Sequence, residues 1–377
     1  MRELFDIPES VCYLNCAYMA PLAREVADAG RVGVDRKRQP WEIEPADFFT
    51  QSEHTRALFA RLVNASADDV SFAPSVSYAL TLASRNIPVS RHQTVVVLAE
   101  QFPSNVYPWL ELARSRDATV QTVSRREGES WTDAVVAAID TGRAAVVALP
   151  HVRWTDGELL DLEVIADRCR RHGTALVIDA TQSLGALGLD VARVRPSFLA
   201  CATYKWLLGP YSMAFLYADP AFQQGTPLEY SWITRGNAED FRGLVDYRPD
   251  FQAGARRYDM GERSNFALMP MTAAALELIL KWDPEHVQRT LTRYTGEIES
   301  RARSLGLVTA SPPARAGHFL GIRFPKGIPD DAVGELRRRN IHVSVRGDCV
   351  RITPHLYNTE NDKHCFLEAL EQLAQSA

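Results

Sequence analysis

The sequence predicts an α/β protein with a mainly parallel sheet in a large domain and a small α+β domain at the C-terminus. Short β-branched strands alternate with helical stretches between residues 94 and 178. This pattern is typical of a parallel sheet with helices on both faces. After Pro270 the pattern changes to longer polar helices and separate short strands. The 377 residues suffice for one large and one smaller domain.

Hydrophobic periodicity predicts the elements of the large domain. The segment 144–149 is apolar without alternation, as expected for a strand that is buried on both faces. Gly173 ends the helix before the last of these strands, as glycine commonly does. In chain order, the predicted strands are 94–98, 118–123, 144–149 and 175–178, and the predicted helices are 103–116, 132–140 and 162–172.

The C-terminal part mixes helices with short strands. The segment 218–260 is rich in Pro, Gly, Arg and aromatic residues, so we expect it outside the core, at a functional site or an interface. We divide the chain into an N-terminal segment 1–30 near the active site, a large domain 31–268 and a small domain 269–377. The predicted helices of the small domain are 272–281, 284–305, 330–339 and one from about residue 360, and its strands are 319–324, 341–345 and 349–352.

Composition and charge restrict the class of protein. The net charge of −5 gives no indication of a nucleic-acid or anionic-membrane partner. The six cysteines form no CxxC pair and the nine histidines show no ligand spacing, so we expect neither a disulfide framework nor a metal site. The first residues, MRELFDIPES, lack the apolar region of a signal peptide. No apolar run reaches the roughly 18 residues that span a bilayer, and we therefore expect a cytoplasmic protein.

Two ionisable residues follow strands at the edge where such sheets bind ligands. Asp179 comes directly after the strand 175–178, and Lys205 follows the next apolar stretch. Lys205 stands between Tyr204 and Trp206, a setting that lowers the pKa of an amine by desolvation. A carboxylate and a lysine on one cleft edge indicate a cationic aromatic cofactor. Pyridoxal phosphate (PLP) has the ring nitrogen and the aldehyde that such a pair binds.

The residues around this pair resemble a known family. The segments 177–185 (VIDATQSLG) and 203–210 (TYKWLLGP) are similar to the motifs of class V aminotransferases among the fold-type I PLP enzymes. The resemblance extends from residues 13–15 to 351–358. The group includes cysteine desulfurases, kynureninases and isopenicillin N epimerase-like proteins. The resemblance implies a PLP-dependent transferase fold of type I, with a mainly parallel seven-stranded sheet, in a homodimer with active sites at the interface.

The resemblance also implies roles for individual side chains. Lys205 is expected to hold the cofactor as a Schiff base and to move protons at the substrate Cα, while Asp179 keeps the ring nitrogen protonated. Gln182 would donate to the phenolic oxygen of the cofactor. Phe102, in a stretch similar to one in kynureninases, would stack on the ring; plain core packing is the alternative interpretation. These roles agree with the chemistry, because the ring delocalises a carbanion at Cα only while it stays cationic.

A phosphate site is expected where an early strand turns into a helix. Ser75, Val76 and Ser77 lie at this helix start, where hydroxyls and free backbone N–H groups suit a phosphate dianion. Ordinary N-capping by serine is the alternative interpretation. By the resemblance, Tyr204 also reaches the phosphate. Ala202 stands where desulfurases carry a serine, so one phosphate contact of those relatives is expected to be lost.

The substrate is expected at the small domain. Arg351 matches the carboxylate-binding arginine of the family, and its guanidinium can bind an amino-acid carboxylate through two hydrogen bonds. Asn15 is the second expected substrate contact. Arg263, Ser264 or Asn265 is expected to approach the phosphate bound by the partner subunit. A surface ion pair for Arg351 and a solvated basic loop at 218–265 are the alternatives.

The sequence does not determine which reaction the protein catalyses. His151 is either close to the cofactor or a buried histidine, and Trp154 has no assigned role. Transamination is our first hypothesis, with Lys205 as proton carrier; the kynureninase-like motif and the resemblance to isopenicillin N epimerase favour a lyase or epimerase instead. Desulfuration needs a thiol on a mobile loop, whereas Cys349 is predicted in a strand. A PLP-fold binding or regulatory module is the non-enzyme alternative, and a nicotinamide-binding fold is disfavoured because GxGxxG is absent.

Overall fold

The computed structural model describes residues 1–310 and 313–376. Short 3₁₀ turns connect several of its elements. The first part of the chain forms β1 (Cys12–Tyr13), α1 (Arg24–Arg36), α2 (Thr50–Val63), β2 (Val70–Ala73), α3 (Val76–Asn86), β3 (Thr94–Leu98), α4 (Tyr107–Ser115), β4 (Thr119–Val123), α5 (Trp131–Ile139), β5 (Ala144–Pro150), α6 (Leu162–His172), β6 (Ala175–Asp179), α7 (Val191–Val194), β7 (Phe198–Ala202) and β8 (Ala214–Ala218). The second part forms α8 (Leu268–Trp282), α9 (Pro284–Ser304), β9 (Val308–Thr309), β10 (Leu320–Arg323), α10 (Ala332–Arg338), β11 (Ile341–His342), β12 (Ser344–Arg346), β13 (Cys349–Ile352) and α11 (Glu360–Ser376).

A seven-stranded sheet with the order β2-β8-β7-β6-β5-β3-β4 organises the large part of the molecule. The pairs from β7 to β4 are parallel, whereas β8 runs antiparallel to both β2 and β7. The predicted α/β class with a mainly parallel sheet is therefore confirmed. β8 was not predicted from the sequence, since it pairs antiparallel with both β2 and β7, and hydrophobicity does not indicate strand pairing.

Hydrophobic cores cover both faces of this sheet. Every residue of β3, β5 and β7 is buried, which explains their apolar sequences without alternation. On one face Phe59 of α2 stacks on Phe215 of β8, with ring centres 4.0 Å apart. On the other face the core includes Trp109 of α4. Tyr258 joins this second core, so the expectation that the whole segment 218–260 lies outside the core was wrong.

A second sheet, of the order β12-β13-β10-β9, is antiparallel. The prediction of one continuous strand at 341–345 was wrong. β11 pairs in parallel with the N-terminal strand β1, with Cys12 opposite Ile341, while β12 pairs with β13. The two short strands have different partners, and residue-by-residue hydrophobicity carries no information about such long-range pairing.

The helix α8 joins the two parts of the chain. It packs against α1 and α2, and Met271 of α8 lies beside Gly30 of α1. The proposed boundary at residue 30 thus falls within α1, and the boundary at 268 falls at the first residue of α8. Among the described residues, no helix is both long and apolar enough to cross a membrane.

Candidate active site at the ends of β5, β6 and β7

A cavity of about 290 Å³ lies at the carboxyl ends of the central strands. Pro150, Asp179 and Ala202, the last residues of β5, β6 and β7, all line it, and so does Lys205. The parallel register sets Pro150 opposite Asp179. This is the position at which open α/β sheets bind ligands, and the structure brings Asp179 and Lys205 to one cavity as the sequence indicated.

Asp179 is a buried carboxylate held by the adjacent turn. Its side chain is only 8% exposed, and its Oδ1 accepts a hydrogen bond of 3.0 Å from the backbone N–H of Thr181. The Thr181 hydroxyl in turn accepts from the backbone N–H of Ala202, which ties the ends of β6 and β7 together. Burial raises the pKa of Asp179, opposed by the Thr181 hydrogen bonds and by the charge of Lys205. A cationic ligand atom beside this carboxylate would replace the lost solvation.

Lys205 is an amine in an apolar setting. Its Nζ lies 5.5 Å from the ring centres of both Phe102 and Tyr204. Burial lowers its pKa from 10.5 to about 8; Asp179 opposes this shift, while Arg351 lowers the pKa further. An amine with such a pKa is partly neutral near pH 7 to 8 and can act as a nucleophile.

The loop that carries Lys205 has a fixed and strained backbone. Leu208, which is completely buried, has a φ of 55°, an unfavourable conformation for a branched residue. Its N–H donates to the Lys205 carbonyl over 2.9 Å. The neighbouring Trp206 donates from its indole N–H to Oε1 of Gln182, also over 2.9 Å. These contacts hold the amine at the mouth of β7.

Gln182 lines the cavity, but its amide has partners within the chain. Its Nε2 donates to the carbonyl of Ala17 over 3.1 Å, while its Oε1 accepts from Trp206. The side chain therefore joins the N-terminal segment to the Lys205 loop, a role that the sequence did not indicate. The second hydrogen on Nε2 is still available in principle, and donation to a cofactor oxygen stays a prediction.

The N-terminus of α3 contributes residues to the cavity lining. The Ser75 hydroxyl caps this helix by accepting from the N–H of Tyr78, so the capping alternative is realised. In the first helical turn, the N–H groups of Val76 and Ser77 have no acceptor within the helix. The Ser77 hydroxyl donates to Ser104 over 2.9 Å. Ser104, which was not predicted from the sequence, lines the cavity together with Ser75, Val76, Ser77 and Tyr204, and hydroxyl groups beside a helix start suit an anion.

Phe102 and Trp154 contact each other at the cavity, whereas His151 lies outside its lining. Phe102 and Trp154 line the cavity and meet edge to face, with ring centres 5.2 Å apart. The indole N–H of Trp154 donates to the Glu100 carbonyl over 2.7 Å, so it does not face a ligand. His151 is buried, and burial, with a smaller effect of His318, lowers its pKa to about 3. His151 is thus neutral and does not belong to the cavity lining.

Arg351 and Asn15 are joined through Ser344; neither lines the cavity, which they adjoin through the Trp154 carbonyl. Arg351 is only 1% exposed; its Nε and Nη2 donate to the Ser344 hydroxyl over 3.0 and 2.7 Å, and its Nη1 donates to the Trp154 carbonyl over 2.8 Å. Ser344 donates to Oδ1 of Asn15 over 2.8 Å. Burial, and then the charge of Arg346, lower the pKa of Arg351 to about 9. Neither Ser344 nor Arg346 was predicted as a site residue from the sequence.

The segment 263–265 lies apart from this cavity. Arg263 is buried in an ion pair with Asp259, and Ser264 donates to the carbonyl of Phe48. Asn265 is exposed, and its Oδ1 accepts from the first N–H groups of α8. Arg263 and Ser264 are thus bonded within their own chain, and the approach of Asn265 to a partner's phosphate stays a prediction.

The site fits PLP in three respects. A buried carboxylate and a buried amine of lowered pKa share one cavity, an aromatic ring lies beside the amine, and a helix N-terminus with serine hydroxyls belongs to the same lining. These groups match the ring nitrogen, the aldehyde, the flat ring and the phosphate of the cofactor. The fold and the site together define a fold-type I PLP-dependent enzyme.

Comparison with known proteins gives the family. The profile described as "Aminotransferase class-V" matches residues 44–366, and the chain belongs to this family of PLP-dependent enzymes. The uncharacterized aminotransferase YcbU of Bacillus subtilis is 27% identical over 99% of this chain and 96% of its own. Isopenicillin N epimerase of Amycolatopsis lactamdurans is 25% identical over 99% of this chain and 98% of its own.

A solved structure shows the same fold. A lysine-to-alanine mutant of C-DES, with glycine covalently linked to its PLP cofactor, superposes with a TM-score of 0.88 at 17% identity, over 99% of both chains. The predicted family, fold type, PLP dependence and enzyme class are therefore confirmed.

Proposed function

We propose that the protein is an aminotransferase that acts at the Cα of an amino-acid substrate. The observation that carries this proposal is the environment of Arg351. Its guanidinium is buried, is bonded to Ser344 and Trp154, and forms no ion pair with a carboxylate among residues 1–310 and 313–376. A buried charge without a counter-charge is costly, and a guanidinium matches the two oxygens of an α-carboxylate.

The residues of the chain then have distinct tasks. When bound, PLP supplies an aldehyde that condenses with amines and a ring that withdraws electrons from Cα. Asp179 holds a proton on the ring nitrogen, because a charged carboxylate in a buried site requires a cationic partner. Arg351 orients the substrate so that its Cα hydrogen faces Lys205. Lys205 would take this proton as a general base and, for transamination, return it to the carbon of the cofactor's former aldehyde group, a task suited to a pKa near 8.

Epimerisation or elimination is the second candidate. It is supported by the epimerase relative, which matches this chain over almost its whole length, and it also needs a base at Cα. Desulfuration by a cysteine of this chain is disfavoured. Cys349 is buried in β13, burial raises its pKa to about 12, and the described residues that line the cavity include no cysteine.

A single-turnover experiment separates these reactions. The holoprotein is mixed with a panel of amino acids in the absence of any keto-acid acceptor, and keto acid, ammonia and the configuration at Cα are measured. Transamination gives at most one equivalent of keto acid per active site and no free ammonia. Repeated turnover with ammonia release would instead indicate elimination, and inversion at Cα without keto acid would indicate an epimerase.

We further propose a cytoplasmic homodimer in which Asn265 approaches the phosphate of the partner. The supporting observations are six free cysteines, as expected in a reducing compartment, and strongly exposed aromatic residues in the segment 219–260, such as Tyr230 and Tyr247. Sedimentation velocity should give about twice the mass of one chain, and a monomer at micromolar concentration would contradict the dimer.

A further inference from the structure

Two arginines project from one face of the small antiparallel sheet. Ser344 pairs with Arg351 and Arg346 pairs with Cys349 across β12 and β13. Residues opposite each other in an antiparallel pair share a face, and so do residues two apart in one strand. Arg346, Ser344 and Arg351 therefore lie on the same face, the one that meets Asn15 through the Ser344 hydroxyl. The turn between the strands contains Gly347 at a φ of 56°.

Arg346 has no carboxylate partner in the described part of the chain. Its Nη1 donates to the carbonyl of Val345 over 2.7 Å, and its guanidinium carbon lies 5.7 Å from the ring centre of Trp154. The acidic residue nearest in sequence, Asp348, pairs with Arg323 instead, over 3.0 Å. Arg346 is partly exposed, whereas Arg351 is buried.

The two guanidinium groups act on each other and on the active-site amine. The charge of Arg346 lowers the pKa of Arg351, and both arginines lower the pKa of Lys205. Trp154 connects them, because its carbonyl accepts from Arg351 and its ring lies beside Arg346 while lining the Lys205 cavity. Two close positive charges without acidic residues repel each other, and a ligand with two negative groups would relieve this repulsion.

We propose that Arg346, with Trp154, binds the side-chain carboxylate of an acidic amino-acid substrate while Arg351 binds its α-carboxylate. The substrate class is thus an amino acid with two carboxylates, or the corresponding dicarboxylic keto acid. The assignment of Arg351 rests on the proposed function. The assignment of Arg346 rests on the register of β12 on β13, on the absence of a carboxylate partner among the described residues and on the contact with Trp154. Arg346 selects between substrates and takes no part in proton transfer.

Binding of dicarboxylates without an amino group tests this proposal independently of the reaction. Isothermal calorimetry on the PLP-loaded protein compares succinate, glutarate and adipate with monocarboxylates of the same chain length. The best dicarboxylate should bind about 10- to 100-fold more tightly than its monocarboxylate, since a hydrogen bond to a charged group contributes about 1.5–3 kcal/mol. Arg346→Gln should abolish this preference and leave monocarboxylate affinity within about threefold. Arg337→Gln, the same charge change at an exposed site of α10, should retain the preference.

Three results would overturn the proposal. The first is equal affinity of the wild type for dicarboxylates and monocarboxylates, and the second is an equal loss of affinity for both classes of ligand in Arg346→Gln. The third is a loss of the dicarboxylate preference in Arg337→Gln as large as that in Arg346→Gln. The second result would mean that both arginines bind one carboxylate. A dicarboxylate preference that depends on Arg346 would support the inference even if no amino acid yields keto acid. In that case the transamination proposal would fail while the two-carboxylate site stands.

Discussion

Asn15 and Arg351, from opposite ends of the chain, bind the same hydroxyl group. The Ser344 Oγ donates to Asn15 over 2.8 Å and accepts from two nitrogens of Arg351 over 2.7 and 3.0 Å. The N-terminal segment follows the small domain here, with Asn15 bridged to Thr353. The two proposed substrate contacts, Asn15 and Arg351, are therefore coupled through Ser344. The local sequence around either residue does not indicate this contact.

Removal of this hydroxyl should weaken substrate binding. Ser344→Ala leaves Nε and Nη2 of Arg351 and Oδ1 of Asn15 without a partner, and a buried unsatisfied group costs about 1–3 kcal/mol. We expect KM for the amino-acid substrate to rise about 10-fold with a smaller change in kcat. Steady-state kinetics checks this, with Ser124→Ala at an exposed position as the control. An unchanged KM would mean that Ser344 does not orient the guanidinium.

Replacement of the active-site amine should stop turnover without unfolding the protein. Lys205→Ala removes the covalent attachment and the base, and we expect kcat to fall at least about 1000-fold because general base catalysis contributes about 10²–10⁴-fold. Asp179 and the start of α3 remain, so PLP should still bind without a covalent bond. Borohydride reduction with mass spectrometry should label residue 205 in the wild type and in the exposed-site control Lys281→Ala. A label elsewhere, or an active Lys205→Ala, would refute the assigned role.

Attachment of PLP to the apoprotein should depend on pH with a midpoint near 8. Only the neutral amine attacks the aldehyde, and the pKa of Lys205 is lowered from 10.5 to about 8. The rate should rise about tenfold per pH unit below the midpoint and level off above it. Stopped-flow absorbance measures this rate, and the reaction of PLP with N-acetyl-lysine corrects for titration of the cofactor. A midpoint near 10.5 would contradict the buried position of the amine.

Two substitutions should shift this midpoint in opposite directions. Asp179→Asn removes the negative charge that raises the pKa of Lys205, so the midpoint should fall. Arg346→Gln removes a positive charge that lowers this pKa, so the midpoint should rise. Shifts in the same direction, or none, would show that these charges do not reach the amine.

Local sequence patterns predicted the strands that build the site. The features that depend on pairing between distant strands were not predicted. Asp179 and Lys205 could be identified because Asp179 ends the mostly buried strand β6 and Lys205 lies just after the fully buried β7, and parallel strands end at one edge. β8 and the division of 341–345 depend on partners far away in sequence. Ser344 and Arg346 were missed for the same reason: their position opposite Arg351 and Cys349 follows from the register of β12 on β13, which no local pattern specifies.

Gly185 provides a final test of how the backbone positions Lys205. Gly185 has a φ of 102°, and a Cβ at this position would lie 2.1 Å from the carbonyl oxygen of Trp206, the residue after the active-site amine. Gly185→Ala should therefore both strain its own backbone and push the Lys205 loop. The strain in φ alone costs about 1–3 kcal/mol, and the contact with the carbonyl adds to it.

We expect Gly185→Ala to unfold at lower urea concentration than the wild type and to bind PLP more weakly. Gly188→Ala is the matched control, because nothing lies within 4 Å of a Cβ there and the residue is exposed. Urea titration with fluorescence detection gives the stability, and cofactor absorbance gives the affinity. A stable Gly185→Ala with normal PLP binding would mean that the turn between β6 and β7 moves freely, and the rigid placement of Lys205 would then need another cause.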